Sequence, residues 1–160
     1  VFLKMKKHGV ASQLFSSFDL KSCISLHKSE IQKKFRMLII MRVTLKKSPI
    51  RDKKYRVTFP DGDHVDFGGK GYTDYTIHKN PTRMRLYVLR HGGGDTRKFS
   101  DPQKVHERMS KVTKSKLEDW GISGLKTAGF WSRWLLWSEP DLRDAMRFMK
   151  MRFGLNIKYM

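Results

Sequence analysis

Lys54-Tyr-Arg-Val-Thr-Phe59, Pro60-Asp-Gly-Asp63 and His64-Val-Asp-Phe67 form the stretch from which the fold is read. Tyr55, Val57 and Phe59 alternate with Lys54, Arg56 and Thr58, and Val65 and Phe67 resume the alternation after the turn residues. Period-two patterning on both sides of a Pro-Asp-Gly turn predicts a β-hairpin over about 54–68. One face is apolar, and the other directs Lys54, Arg56, His64 and Asp66 toward solvent or a partner. Gly68, Gly69 and Gly71 then release the chain from the sheet.

Downstream, the signals turn helical. Asn80 caps a first helix with Pro81 in its first turn, and Met84, Tyr87, Val88 and His91 share one side of it. Gly92-Gly93-Gly94 ends it. Asp101-Pro102 repeats the start signal for a polar, basic helix through about Leu117, with Val105, Met109 and Val112 as a thin apolar seam. The surrounding stretch, about 97–119, reads as a basic helical insert. Thr127 caps a third, short helix, and Pro140 opens a fourth, with Leu142, Ala145, Met146, Met149 and Phe153 inward and Gly154 just past its end. The alternation in Leu155–Tyr159 suggests a strand returning beside the hairpin. The expectation is a small α+β domain over residues 41–160.

Residues 1–40 read differently. They are rich in serine and lysine, and Leu14, Phe15, Phe18, Ile24, Ile31, Phe35 and Leu38 recur at roughly helical intervals. That pattern fits an amphipathic basic arm whose apolar faces need a partner, and it shares features with an organelle transit peptide. The segment Met41-Arg-Val-Thr-Leu-Lys-Lys-Ser-Pro49 reads as the start of the self-sufficient domain.

Charge narrows the partners. Across 160 residues, 34 Lys and Arg stand against 15 Asp and Glu, a net +19. The excess is spread over the chain: +6 in residues 1–40, +8 in 41–100 and +5 in 101–160. Charge distributed this evenly suggests a folded body that meets acidic partners on several sides, whether nucleic acid, anionic lipid or acidic protein. Apolar residues at 39% and aromatics at 12% suffice for a packed core. A single cysteine, Cys23, makes neither an internal disulfide nor a cysteine-based zinc site. The longest apolar run, Met37–Met41 between Arg36 and Arg42, is far short of the roughly 18 residues of a membrane span.

No catalytic constellation emerges. His91-Gly-Gly-Gly94 lacks the G-x-S-x-G nucleophile elbow that a lipase-type oxyanion loop serves, and Gly121-Ile-Ser-Gly124 has the wrong spacing. Gly68-Gly-Lys-Gly71 is no Walker loop. The six histidines show neither H-x-x-x-H nor H-E-x-x-H spacing, so no metal or other cofactor is expected. Two aromatic clusters remain. Trp131, Trp134 and Trp137 recur at i, i+3 spacing along one helical face. They read either as core or, with Phe130, as an anchor set for a partner protein. Ser132 and Arg133 fall off that face, so part of the helix is expected at the surface. Tyr72, Tyr75 and His78, interleaved with Asp74 and Lys79, read either as base-stacking residues or as a segment packed over the hairpin.

The order Tyr55-x-Val-x-Phe-Pro-Asp-Gly62, Phe67-Gly68, Gly71-Tyr-x-Asp-Tyr-Thr-x-His-Lys79 resembles a family of small basic proteins of phycodnaviruses and related large DNA viruses. Arg83, Tyr87, Arg90 and His91 follow, then Thr127-Ala-Gly-Phe-Trp-Ser-x-Trp-Leu-Leu-Trp137 and Phe153-Gly154. Residues 1–40 and the insert at 97–119 depart from the pattern. The resemblance implies a virion setting and no enzymatic activity. Combined with the charge, it leads to the expectation of a minor capsid protein on the inner side of the capsid shell. There it would cement major capsid protein and other minor capsid proteins, and it could touch an anionic inner membrane. Phe130, Trp131, Arg133, Trp134 and Trp137, with Leu14, Phe15 and Phe18 of the arm, are the expected partner contacts. Lys54, Arg56, Lys79, Arg83 and Arg90 are the expected contacts to acidic partners or nucleic acid. The alternative is a virion protein that binds or condenses DNA without sequence preference.

Overall fold

The computed structural model describes residues 40–94 and 101–160; the arm expectation, with Leu14, Phe15 and Phe18, lies outside the described residues. The hairpin forms as β2 (Lys53–Thr58) and β3 (His64–Gly69), antiparallel, with Val57 opposite Val65 and Arg56 opposite Asp66. Two further strands complete a mixed sheet: β1 (Met41–Lys47) and β4 (Leu155–Tyr159), in the order β3-β2-β1-β4. The segment read as a domain start is thus an interior strand. The tail does become a strand, but beside β1 rather than the hairpin, paired in parallel from Met41–Leu155 to Leu45–Tyr159. Parallel pairing needs a long crossover, and every described helix lies in it.

The described helices are α1 (Tyr75–His78), α2 (Pro81–Arg90), α3 (Pro102–Ser110), α4 (Ala128–Trp131) and α5 (Leu142–Phe153). The fold is α+β, a four-stranded mixed sheet with helices on one face. Caps mark most of the boundaries. The Asn80 side chain accepts from the N–H groups of Thr82 and Arg83, Thr127 Oγ1 accepts from Phe130 and Asp141 accepts from Arg143. Gly154 ends α5 at φ 69, a left-handed value that suits glycine, and turns the chain directly into β4. The second predicted helix ends at Ser110 instead of reaching Leu117. Val105 and Met109, the apolar seam expected of that helix, are buried in the common core.

Val43, Leu45, Val57, Phe59, Phe67, Leu155 and Ile157 share the covered face of the sheet, where Phe59 and Phe67 both meet the Trp131 ring. From Trp131 the chain continues through a wide π-helical turn, Ser132–Leu136. Arg133, Trp134, Leu135 and Leu136 are all buried, which a helix lying on one surface does not allow. The turn and the residues flanking it pack in three directions: Trp131 against the sheet, Trp134 against Phe148 and Phe153 of α5, and Trp137 stacked on Tyr87 of α2. Each buried indole N–H has a partner: Trp131 to Leu125 O, Trp134 to Trp120 O and Trp120 to the Glu118 carboxylate.

Arg133 overturns the expectation that its side of the helix is exposed. It is fully buried, and its guanidinium donates to the carbonyls of Trp137 (2.7 Å), Met109 (2.6 Å) and Val112 (3.2 Å). The Trp134 ring lies 4.4 Å from Cζ and the Trp120 ring 5.2 Å. Burial lowers its pKa to about 10, which still leaves it charged at neutral pH. The compensation is carbonyl and aromatic rather than carboxylate: the C-terminal end of α3, where the helix dipole is negative, and two ring faces.

A second tie joins α3 to the turn before α5. His106 Nε2 lies 3.0 Å from Ser138 O and 3.1 Å from the Glu139 carboxylate. The hydrogen bond to Glu139 is the main cause that raises the His106 pKa above its ordinary 6.5. A histidine shifted upward contributes its full stabilisation below the ordinary value and loses it as pH rises through the folded value. His78 shifts the opposite way, mainly through burial, so a comparison of variants is needed to isolate His106. The melting temperature of His106→Gln should fall short of the parent's by more at about pH 5.5 than at about pH 8. A deficit that is equal at both, or larger at the alkaline end, would show that the ion pair does not stabilise the fold.

Candidate functional site

The five cations singled out in the sequence separate into two places and one outlier. Lys54, Arg83 and Arg90 converge on a groove of about 580 Å3 between the end of the hairpin and α2. Arg56 lies on the open face of the sheet, held by Asp66 at 2.7 Å. Lys79 follows α1 with a left-handed φ of 53, exposed and apart from both.

The groove owes its shape to α2 and to glycines. Arg83, Leu86, Tyr87 and Arg90 stand at i, i+3, i+4 and i+7, one stripe of the helix, and all four line it. Gly68, at φ 72, lets the strand end close over Leu136; a Cβ there would come within 2.7 Å of Leu136 Cδ1. Two carboxylates also line the groove, and both are engaged. Asp74 accepts from Lys54 Nζ at 2.6 Å and from the Thr76 hydroxyl, and it caps α1. Glu118 meets His91 Nδ1 at 2.9 Å and the Trp120 indole at 2.7 Å. Lys53, Arg83 and Arg90 have no carboxylate partner among the described residues, and the Arg83 guanidinium donates only to the Thr73 hydroxyl. The aromatic floor is a stack: Tyr87 lies 4.4 Å from Trp137 and 4.1 Å from His91, so both its faces are covered. Its buried hydroxyl, like Arg133 Nε, has no hydrogen-bond partner, and burial pushes its pKa upward.

The second place is the sheet face turned away from the helices. Arg42, Thr44, Lys46, Arg56, Thr58, His64, Asp66, Asn156 and Lys158 alternate with the core residues, and none is buried. The register makes rungs across it, such as Lys158–Thr44–Thr58–His64 and Lys46–Arg56–Asp66. Arg42, Thr58 and Lys158 border a hollow of about 520 Å3 on this face. Asp66 is consumed by Arg56 and Ser48, both of which, Arg56 foremost, hold its pKa below the usual carboxylate range. Arg42, Lys46 and Lys158 make no ion pair among the described residues.

Residues 43–91 match a family of unknown function (DUF5754). No curated protein matches the chain, and no solved structure does. The matched stretch runs from β1 to the end of α2, so it holds most of the sheet, the glycine turn and the arginine stripe of α2. The tryptophan block at 127–137 lies outside it.

The partner-anchor expectation needs correction. Phe130, Trp131 and Trp134, like Arg133, are fully buried and fill the space between the sheet, α3 and α5. Trp137 alone of that set is half-buried, and it lines the groove. Tyr75 is buried against His106, in keeping with the packed alternative for its segment, whereas Tyr72 is 78% exposed. Sequence reasoning missed Glu118, which lines the groove, Trp120, whose buried indole donates to it, and Arg42, Lys46 and Lys158. Arg42 and Lys46 had a signal in the alternation of β1, and Lys158 in that of β4. Among the described residues no cluster of three His, Cys, Asp or Glu could hold a metal ion, and no helix is long and apolar enough to cross a membrane.

Proposed function

We propose that this chain is a non-catalytic structural protein of a large DNA virus particle that holds DNA by its phosphates, without reading bases. The observation that carries this reading is the open sheet face, where Arg42, Lys46 and Lys158 stand without carboxylate partners beside Thr44, Thr58 and Asn156. Cations spread over a hydrogen-bonding face suit a repeating polyanion, and the net charge of +19 supplies long-range attraction. The virion setting comes from the sequence resemblance. The minor-capsid reading, with major capsid protein as the neighbour, draws on that same resemblance, but the aromatic anchors it relied on lie mostly in the core.

Fluorescence anisotropy with a labelled DNA duplex tests the proposal. Affinity should fall by orders of magnitude between about 50 and about 200 mM salt. The triple variant Arg42→Ala/Lys46→Ala/Lys158→Ala should reduce the slope of log K against log salt by about 2.7, close to 0.9 for each phosphate no longer neutralised. No duplex binding at low salt, or a slope untouched by the triple variant, would defeat the reading. Recovery of the protein with DNA-free shells would instead favour the capsid role, and retention on anionic vesicles alone would favour the membrane surface.

A further inference from the structure

We infer that the groove beside α2 takes an extended single strand of nucleic acid, with Arg83 and Arg90 on its phosphates and Tyr72 against a base; this rests on the nucleic-acid reading above. Seven residues of helix set the two arginine positions about 10 Å apart along one face, which places them on different phosphates of a strand. Lys53 faces them from the hairpin end, and the two carboxylates of the groove are already occupied by Lys54 and by His91 and Trp120. The local charge is therefore open to an anion. Its volume of about 580 Å3 is that of a small-ligand site.

Selectivity for a single strand comes from the rim. Tyr87 cannot serve as a stacking platform, because Trp137 and His91 occupy its two faces. Tyr72 can. It packs on the backbone of Gly69, where a Cβ would come within 2.9 Å of the ring, and it is otherwise 78% exposed. A cationic groove with an aromatic platform at its edge binds unpaired bases, since every base has a ring face and a duplex hides it.

The experiment compares a short labelled oligothymidylate with a duplex of equal length. Tyr72→Ala should weaken strand binding about tenfold and leave duplex binding unchanged. Arg83→Ala/Arg90→Ala should lower the strand's salt slope by about 1.4 while sparing the duplex. These side chains are exposed, and thermal melts verify that the variants fold. If Tyr72→Ala has no effect on the strand, or if the arginine variant loses strand and duplex alike, the groove inference is overturned. If the duplex binds and the strand does not, the sheet-face reading survives and the groove inference fails. If neither polymer binds, both fail.

Discussion

Replacing Arg133 with alanine should lower the thermal midpoint by roughly 15 °C, the equivalent of about 4 kcal/mol for a domain of this size. The guanidinium is fully buried and satisfies three carbonyls at once, those of Trp137, Met109 and Val112. Truncation leaves the Trp137 and Val112 carbonyls without a donor, each at a cost of about 1–3 kcal/mol before relaxation, leaves Met109 O only the N–H of Val112, and opens a cavity between the Trp120 and Trp134 rings. It also cuts the connection between the end of α3 and the π-helical turn. Arg133→Lys should recover little, because a single ammonium does not span three divergent acceptors or stack as a plane on tryptophan. Circular dichroism melts of both variants provide the measurement. A midpoint within a few degrees of the parent for Arg133→Ala would mean that the carbonyls find other donors and that the tie is dispensable.

The next largest effect is expected at Gly124. A Cβ added there would lie 2.0 Å from the Asp119 carbonyl oxygen, a backbone atom fixed by the turn that carries Trp120 into the core. Side chains swing away from such clashes; backbone does not. Gly124→Ala should therefore cost about 3 kcal/mol, at the upper end of overpacking effects. Gly121, three positions earlier, is the control: its added Cβ meets the Asp119 side chain at 3.3 Å, and Gly121→Ala should shift urea unfolding by well under 1 kcal/mol. Equal midpoints for the two variants would show that the 119–124 turn yields easily.

Both predictions concern segments that local pattern describes poorly, and this marks the boundary of what could be read in advance. The hairpin was legible because Tyr55, Val57, Phe59, Val65 and Phe67 alternate around a turn whose residues dictate its backbone. The helix starts at Asn80 and Thr127 and the stop at Gly154 were legible for a similar reason, since capping is settled within three or four residues; the fourth helix was placed from Pro140, one residue ahead of its actual cap, Asp141. β1 was not. It offers only Val43 and Leu45 as buried positions in seven residues, with cations around them and no turn signal before it. Its place inside the sheet depends on β4, more than a hundred positions away.

The site divides along the same line. Arg83 and Arg90 were singled out from sequence, and their spacing on one helix puts them on one face wherever that helix lies. That Lys53 and Lys54 stand opposite, and that Asp74 and Glu118 are consumed elsewhere, follows from the way the hairpin end meets α2. The tryptophans show the limit most clearly. Spacing placed Trp131, Trp134 and Trp137 along one helical stripe, whereas the π-helical turn between them sends Trp131 to the sheet, Trp134 to α5 and Trp137 to α2.

The amino-acid order alone determined the hairpin, the helix ends, the surplus of positive charge and the arginine stripe, because each depends on neighbours within a turn or two of backbone. Only the tertiary structure decided that Arg133 is interior, that the tryptophans face inward and which cations keep no counter-charge. Burial and ion pairing are properties of what packs against a residue, and in this chain those neighbours arrive from distant segments.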